Sequence, residues 1–408
     1  MAKELTAIKS WLNMKRTRPE STAGDLVYWT EQDNPTVRAI VERCARTPAA
    51  FNANIYKEDE IYLHGLDHLK NRDLALMLYF KYGAQIMDEI RQIVTWKFQK
   101  FDNVAAFLDF ACGYGRVTRF LAQELQPERI WVSDIYAGAV QFQQAQFGVN
   151  GFVSVTQPED LHLDQKFDFI FVASLFSHLP ERRFGGWLKK LHSLLTPRGL
   201  LVFSVHDEYI LRDQTLPADG YRFLPHSESK YLAAGEYGSM FVTEGFVRAM
   251  IGKAIGPNWS YCRIKRGLCG FQDIYVIGSN SHEDFSNLNF RAGPEGHLDK
   301  CQLLATGDVQ LQGWAGDLTA GQAIDAVQVL IDGKVVQRCQ PTVSRPDVVA
   351  VLQEPSYAWA GWECTFPIGK PVEQLSDEVL EVRAISADGA TALLHLSRLR
   401  SAIGQQLA

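Results

Sequence analysis

The sequence predicts an α/β domain with a mostly parallel sheet, preceded by a helical region and followed by an all-β sandwich. Two observations carry this prediction. Between residues 104 and 277, short apolar runs alternate with amphipathic stretches, which is typical of a parallel sheet covered by helices. Beyond residue 300, short segments with period-two alternation replace them. The length of 408 residues also exceeds that of one ordinary domain.

The first 100 residues are predicted to form a helical extension that acts as a lid. Apolar side chains between Ile61 and Val94 recur at steps of three and four residues, which indicates helix. The N-terminus has no apolar core of the kind found in signal peptides. No apolar stretch reaches the roughly 18 residues of a membrane span, so we expect no membrane association.

Residues 101–280 are predicted to form the α/β domain, with seven strands. The predicted strands are Ala105–Asp109, Ile130–Asp134, Phe152–Val155, Phe167–Ala173, Leu200–His206, Ser260–Lys265 and Gln272–Ile277. The predicted helices between them are Arg116–Leu125, Ala137–Phe147, Glu181–Leu195 and Thr243–Ile251.

A change of composition marks the end of this domain. The stretch Ser279–Gly296 is polar and predicts a linker over residues 281–300. In residues 301–408, Asp332-Gly333 and Asp388-Gly389 each separate two alternating runs, a strong hairpin signal. We expect a sandwich of about seven strands, in which Trp314, Trp359 and Trp362 are core side chains rather than a sugar-stacking surface.

Composition narrows the functional classes. The net charge of −6 offers no broad basic surface, so nucleic acid is not an expected partner. Seven cysteines without regular spacing favour neither a disulfide framework nor a zinc site. We therefore expect a cytoplasmic protein and no metal.

The segment Phe107–Arg116 carries the most chemical information. It follows an apolar strand and precedes an apolar-periodic helix. Gly113 and Gly115 permit a tight turn and a close backbone approach to a ligand. The start of the following helix suits a carboxylate, and Asp109 suits an ammonium group. A ligand with both groups is an amino acid, such as the methionyl end of S-adenosylmethionine (SAM).

A second acid, Asp134, ends the next predicted strand, nineteen residues after Gly115. An acid at this position can bind both ribose hydroxyls, and it could also cap the helix Ala137–Phe147. The same placement would serve NAD, but a dinucleotide site requires a third glycine, which the sequence lacks after Gly115. Asp109 before the loop would also repel a pyrophosphate, so an NAD-dependent oxidoreductase is disfavoured.

On these residues, the stretch from about 79 to 278 resembles the class I SAM-dependent methyltransferases, particularly bacterial small-molecule and glycan-type members. Their first motif is an acid followed by x-G-x-G-x-G, and here Ala111 replaces its first glycine. Asp134 matches their ribose acid, and Tyr79–Gly83 resembles the segment that closes over the methionyl end. The resemblance implies a Rossmann-like fold for the α/β domain. The C-terminal region looks like an immunoglobulin-like accessory domain.

The resemblance implies SAM as cofactor, held by a set of residues from five parts of the chain. Those residues are Tyr79, Gly83, Asp109, Ala111, Gly113, Tyr114, Gly115, Asp134, Ile135, Gln157, Pro158 and Ser174.

Two histidines are candidates for a general base. His178 follows the fourth predicted strand, and His206 ends the fifth, so both lie at the sheet edge where open α/β folds bind ligands. Each could equally be an ordered structural histidine.

The sequence thus predicts a methyltransferase that acts on a small-molecule or glycan acceptor, with oxygen ahead of nitrogen as the methylated atom. The alternative is a SAM-binding or glycan-binding scaffold without turnover. The C-terminal domain could hold substrate, a partner enzyme or a second copy of the chain.

Overall fold

The computed structural model describes residues 28–211, 215–226, 232–233, 235–319 and 324–403. Residues 1–27 of the predicted N-terminal extension lie outside this set. Two short strands open the described chain and pair antiparallel, β1 at Tyr28–Trp29 and β2 at Ile55–Tyr56. Three helices accompany them: α1 (Pro35–Cys44), α2 (Glu60–Leu69) and α3 (Arg72–Phe98).

Each of these helices begins at a side-chain cap. Asn34 accepts from the N–H groups of Thr36 and Val37, Asp59 from that of Tyr62, and Asn71 from that of Leu74. The predicted helical pattern over residues 61–94 is therefore two helices, because Lys70 adopts a left-handed conformation between them.

The α/β domain contains a nine-stranded sheet. Seven strands form its main path in the order β10-β11-β7-β6-β3-β4-β5, and β8 and β9 extend it from β7. The β11 strand is antiparallel to both of its neighbours, whereas β5, β4, β3, β6 and β7 are mutually parallel. The strands are β3 (Phe107–Phe110), β4 (Ile130–Asp134), β5 (Asn150–Val153), β6 (Phe167–Val172), β7 (Leu195–Asp207), β8 (Tyr221–Leu224), β9 (Ser239–Val242), β10 (Tyr261–Leu268) and β11 (Gln272–Gly278).

The mostly parallel α/β sheet is thus confirmed, but the count of seven strands is wrong. The two extra strands arise where β7 ends: β9 pairs in parallel with His206 and Asp207, and β8 pairs antiparallel with β9. Neither strand was predicted, because the alternating pattern of the sequence does not mark the long segment after β7 that contains β8 and leads into β9.

Four α-helices accompany the sheet: α4 (Thr118–Leu121), α5 (Ala137–Phe147), α6 (Glu181–Ser193) and α7 (Glu244–Ala254). The bounds of α5 match the prediction, whereas α4 is one turn instead of the predicted Arg116–Leu125. Around this turn, the Thr118 hydroxyl donates to Asp109 and the Arg119 Nε donates to the Gly115 carbonyl.

Seven strands in two antiparallel sheets form the C-terminal domain, with orders β12-β13-β16 and β15-β14-β17-β18. Turns at Asp332-Gly333 and Asp388-Gly389 join β14 to β15 and β17 to β18, so both predicted hairpins are present. The elements are β12 (Pro294–Leu303), β13 (Asp308–Asp317), β14 (Ile324–Ile331), β15 (Lys334–Cys339), α8 (Pro346–Leu352), β16 (Gly361–Pro367), β17 (Val379–Ser386), β18 (Thr391–Arg398) and α9 (Leu399–Ala402). Because β12 begins at Pro294, the domain starts within the predicted linker.

Short 3₁₀ turns complete the chain, at Pro48–Ala50, Phe101–Asn103, Pro127–Arg129, Pro158–Asp160, Glu208–Leu211, Pro355–Trp359 and Val372–Gln374. Within the described ranges, no helix is both long enough and apolar enough to cross a membrane.

The C-terminal domain packs on the N-terminal helices. Arg398 of β18 donates to the buried Asp73 of α3 at 2.8 Å, and Arg43 of α1 forms an ion pair with Glu381 of β17. Trp314 and Trp362 are buried as predicted, but Trp359 is 65% exposed. The helices α1 and α3 bury apolar surface against the nine-stranded sheet and the sandwich in one continuous core.

Candidate active site

A cavity of about 630 Å³ opens at the carboxyl ends of β3, β4, β5 and β6. This volume falls within the usual range for small-ligand sites. Its walls come from residues 109–116 (the acid–glycine loop), the strand tips, the start of α2 and the segment before β9. The lining residues include Glu58–Ile61, Leu63, His64, Asp109–Tyr114, Arg116, Val117, Asp134–Tyr136, Ser154–Thr156, Ala173–Leu175, His178, Leu179, Arg183, Trp187, Leu232, Glu236 and Tyr237.

The acid–glycine loop turns sharply through three left-handed residues. The φ angles are +59° at Ala111, +54° at Gly113 and +82° at Gly115. The Gly113 N–H donates to Asp134 at 2.9 Å, and the Cys112 N–H donates to the Ser133 carbonyl at 3.1 Å. The loop is therefore fastened to the tip of β4. Ala111 adopts a left-handed conformation that favours glycine, so an alanine at this position strains the loop.

Asp109 lies at the floor of this loop, buried and 3.0 Å from the Thr118 hydroxyl that donates to it. Burial raises the pKa of the Asp109 carboxyl to about 7, against the lowering effects of Thr118 and Arg116. A buried carboxylate of this kind is stabilised by a cation that enters the cavity. The side chain therefore suits a ligand ammonium group.

Asp134 ends β4 with both carboxylate oxygens engaged by the backbone. One oxygen accepts from Gly113 and the other from the Tyr136 N–H at 3.0 Å. Burial raises the pKa of Asp134, and these backbone donors oppose that shift. The carboxylate holds the turn before α5 and also lines the cavity. The N-cap of α5 is Tyr136, which has no side-chain cap, so the capping role considered for Asp134 is wrong. Ile135 follows it on the cavity wall.

Three predicted binding residues lie outside the cavity lining and instead hold the loop in place. A Cβ on Gly115 would approach Phe147 to 2.7 Å, and a Cβ on Gly83 would approach the Arg116 carbonyl to 2.5 Å. Tyr79 is buried and donates to Asp59, an acid that does line the cavity, at 2.6 Å. Close packing accounts for the two glycines, and the hydrogen bond to Asp59 accounts for Tyr79.

Gln157 and Pro158 also lie outside the lining, and Ser154, Val155 and Thr156 occupy the expected place. The prediction is displaced because β5 ends at Val153 instead of Val155, so the chain leaves the strand tip two residues earlier. Gln157 accepts from Arg183 of α6, a residue that does line the cavity.

Ser174 and Tyr114 both lie on the cavity wall. Ser174 follows β6 with a φ of +61°, and its N–H donates to the Ser204 hydroxyl at 2.8 Å. The Tyr114 ring stacks on Tyr56 with centroids 4.8 Å apart. This stacking joins the loop to the β1–β2 ribbon.

His178 is buried on the cavity wall beside Ser174, with its ring stacked on Tyr237 at 4.8 Å. Its Nδ1 lies 2.7 Å from the Gly238 carbonyl oxygen. Only a donor can bond a carbonyl, so Nδ1 carries the proton and the lone pair lies on Nε2. Burial lowers the pKa of His178 to about 4, which keeps the ring neutral and able to accept a proton at pH 7.

His206 lies behind the wall rather than on it. Its Nε2 accepts from the Gln272 amide at 3.0 Å, and its ring packs between Phe241 and Phe271. The lone pair that a base would need is therefore occupied. Burial lowers the pKa of His206 well below its usual value. The structure favours a structural role for His206 and leaves His178 as the candidate base.

Residues 108–201 match the family described as a methyltransferase domain. That segment contains the acid–glycine loop, Asp134 and His178. Less than a quarter of the chain is matched, and this part is similar to methyltransferase domains. No protein of curated function matches the chain in sequence.

Several solved methyltransferase structures are similar to the chain. A SAM-dependent methyltransferase from Clostridium acetobutylicum has 14% identity and a TM-score of 0.36, over 48% of this chain and 90% of that one. The N-methyltransferase NodS from Bradyrhizobium japonicum, bound to S-adenosylhomocysteine (SAH), has 15% identity and a TM-score of 0.33, over 49% and 87%. Magnesium protoporphyrin IX methyltransferase from Synechocystis has 14% identity and a TM-score of 0.33, over 50% and 87%.

Sequence reasoning missed a buried polar cluster beside the acid–glycine loop. Arg119 is only 1% exposed, and its guanidinium donates to the carbonyls of Asn52 and Asn54 at 3.0 Å and to the Tyr79 hydroxyl at 3.3 Å. It thereby ties the chain before α2 to the acid–glycine loop. Nothing in the sequence pattern marks Arg119, because buried arginines are rare and have no periodic signature.

Asp59 and Arg116 were also missed, and both line the cavity. The Asp59 position before the helical run was a readable N-cap signal, but its second oxygen and its burial depend on the fold. The Nε of Arg116 is buried and has no hydrogen-bond partner among the described residues. The Arg116 guanidinium lines the cavity, and its charge lowers the pKa of Asp109, so it suits a carboxylate on the ligand.

Proposed function

We propose that this methyltransferase transfers the methyl group of SAM to a hydroxyl of a small-molecule or glycan acceptor. The observation that carries the proposal is the convergence of Asp109, Gly113, Asp134 and His178 on one cavity. SAM supplies a methyl group already activated by its sulfonium. The chain's own task is then to hold the two substrates in line and to remove one proton.

Binding of the cofactor is assigned to the loop and strand tips. Asp109 would bind the ammonium group and Arg116 the carboxylate of the methionyl end. Asp134 and Ile135 would contact the ribose and adenine side, together with Ser154, Val155 and Thr156. Because Asp134 is fixed by two backbone N–H groups, its orientation is set before ligand binding.

Proton removal is assigned to His178. A neutral imidazole with its lone pair on Nε2 can accept a hydroxyl proton, whereas an amine nucleophile that is already neutral needs no such group. The pKa of about 4 makes His178 a weak base, so it would accept the proton as the methyl group bonds to oxygen rather than before. Transfer to a hydroxyl needs a base, and the presence of His178 therefore favours oxygen over nitrogen as the methylated atom.

The carboxylates near the opening favour a polar acceptor. Glu58, Glu60 and Glu236 line the cavity together with His64 and Arg183. These groups offer donors and acceptors, and Trp187 and Tyr237 add aromatic faces to the same lining. A polyhydroxylated molecule presents both a polar edge and an apolar face, which agrees with such a wall.

The C-terminal sandwich is proposed to be an immunoglobulin-like accessory domain. Its seven strands in two sheets agree with that proposal, although the fold alone fixes no function.

Methyl transfer with a labelled donor tests this function. The full chain would be incubated with SAM carrying a deuterated methyl group and separate extracts of polar metabolites and glycans. We expect label on oxygen in a hydroxyl-bearing product, located by fragmentation or NMR. Label confined to nitrogen or to carbon would contradict the assignment of oxygen, and absence of transfer from every fraction would favour the scaffold alternative.

A further inference from the structure

Glu236 and Tyr237, directly before β9, lie on the part of the cavity wall that we assign to the acceptor. The chain segment between β7 and β9 passes through β8, which pairs with β9. Near the end of this segment, the Gly238 carbonyl accepts from His178. The backbone N–H of Gly238 in turn donates to the His178 carbonyl at 2.9 Å. The end of this segment therefore fixes the orientation of the candidate base.

The start of the segment is held by the C-terminal domain. The Tyr209 hydroxyl donates to the carbonyl of Leu352, the last residue of α8. The Tyr209 N–H donates to Asp207 at 3.0 Å, which fixes the turn directly after β7. Tyr209 thus connects the tip of the catalytic sheet to the sandwich through its side chain.

A second contact reaches the same tyrosine through its ring. The Arg266 guanidinium lies 5.1 Å from the ring centroid of Tyr209, and it donates to Glu295 of β12 at 3.3 Å. Glu295 also accepts from the Tyr357 hydroxyl at 2.8 Å. Both Glu295 and Tyr357 belong to the C-terminal domain. The domain therefore contacts Tyr209 directly at the hydroxyl and through Arg266 at the ring.

The two ends of the segment meet at one strand tip. Phe241 and Val242 of β9 pair in parallel with His206 and Asp207 of β7. Tyr209 follows Asp207, the last paired residue of β7, by two positions. A displacement of Tyr209 would therefore move the paired ends of β7 and β9 together. Because β9 begins directly after Gly238, that movement reaches the carbonyl that orients His178.

We infer that the C-terminal domain positions the acceptor side of the active site, and that Tyr209 is the positioning residue through which it does so. The inference rests on the proposed role of His178. It assigns the sandwich a part in methyl transfer that a detachable accessory domain would not have. SAM binding should be independent of this contact, because the loop and Asp134 lie at the other side of the cavity.

The test is Tyr209→Phe in the full chain, which removes the hydroxyl and keeps the ring under Arg266. Tyr261→Phe is the matched control, because its hydroxyl donates at 3.0 Å to Glu244 within the methyltransferase domain. Hydrogen–deuterium exchange of peptides covering residues 235–242 is the first measurement. We expect exchange there to be about threefold or more faster in Tyr209→Phe than in the wild type or the control.

SAH affinity, measured by calorimetry, should be the same in all three proteins. With an acceptor from the labelling experiment, kcat of Tyr209→Phe should fall about threefold to tenfold, because small misplacements of a catalytic group slow transfer. Tyr357→Phe alters only the sandwich side and should give a smaller change in the same peptides, which keeps the test available if Tyr209→Phe folds poorly.

Equal exchange in residues 235–242 for Tyr209→Phe and the wild type would overturn the inference. Equal acceleration in the Tyr261→Phe control would also overturn it, because the effect would then be general loosening. The exchange measurement needs no acceptor. It therefore separates failure of this inference from failure of the proposed methyl transfer.

Discussion

The two sides of the cavity are built in different ways. The cofactor side comes from residues 109–136 and 154–156, where successive strand tips and one loop are fastened together by backbone hydrogen bonds such as Gly113 to Asp134. The acceptor side combines the start of α2, the turn after β6 and the segment before β9, which lie up to about 180 residues apart in sequence. Local sequence therefore determines the cofactor side, whereas the acceptor side depends on tertiary packing. Changes on the acceptor side can alter the substrate without loss of SAM binding.

The largest effect expected from the difference between the two sides is a loss of turnover when the acceptor side is changed. His178→Ala should lower turnover by about 10²–10⁴, since a positioned base contributes that much, while SAH affinity stays unchanged. Steady-state kinetics at saturating SAM, with the acceptor found by labelling, would measure it. His206→Ala is the comparison, and its turnover per folded molecule should fall far less because its Nε2 is already bonded to Gln272. Equal losses in both variants would contradict the assignment.

The pH profile of turnover should reflect the low pKa of His178. Burial lowers this pKa to about 4, so the ring stays neutral and able to accept a proton above that value. At saturating SAM we expect kcat to stay level as the pH falls, until it approaches about 4 or the protein unfolds. A decline centred near pH 6.5 would show that a histidine with an ordinary pKa is the base instead.

The cofactor side should show its own pH dependence through Asp109. Burial raises the pKa of this carboxyl to about 7, so below that pH the ligand-free protein holds a proton there. An ammonium group binds the charged form, so SAH binding must release the proton. Affinity should weaken by about tenfold per pH unit below about pH 6.

Calorimetry in buffers of different ionisation enthalpy would count the proton released on SAH binding near pH 6.5. Asp109→Asn should remove both the release and the pH dependence, at the cost of weaker binding at pH 8. An unchanged pH dependence in this variant would place the titrating group elsewhere.

The smallest effect concerns the strained Ala111. Ala111→Gly should relieve its left-handed conformation and raise the free energy of unfolding by about 0.5–1 kcal/mol, after the greater entropy of glycine in the unfolded chain is subtracted. Ala139→Gly, in the interior of α5, should lower it by about 1 kcal/mol. Urea titration would measure both. A loss of stability in Ala111→Gly would show that packing of the Ala111 methyl group stabilises the fold by more than the left-handed backbone destabilises it.

The cofactor side could be predicted from the sequence because its signals are local. Asp109, Gly113 and Asp134 stand at strand ends that hydrophobic alternation reveals, and all three line the cavity. Gln157 and Pro158 lie outside the cavity lining, because β5 ends two residues earlier than the sequence predicts. Element boundaries are the least reliable part of such reasoning.

The acceptor side could not be predicted to the same depth. Strand order places His178 and His206 at one sheet edge, but only packing decides that His178 faces the cavity and that Gln272 occupies the Nε2 of His206. Asp59 and Tyr237 reach the cavity from remote parts of the chain, and no spacing rule connects them to Asp109.

The most direct test of the division is a calorimetric titration of SAH into four full-length proteins. These are the wild type, Asp134→Ala, His178→Ala and Asp160→Ala, an exposed acid beside the cavity that serves as control. Loss of a charged hydrogen-bond acceptor should weaken SAH binding to Asp134→Ala by about tenfold to hundredfold. His178→Ala and Asp160→Ala should bind SAH as the wild type does. Unchanged affinity in Asp134→Ala, or an equal loss in His178→Ala, would contradict the account.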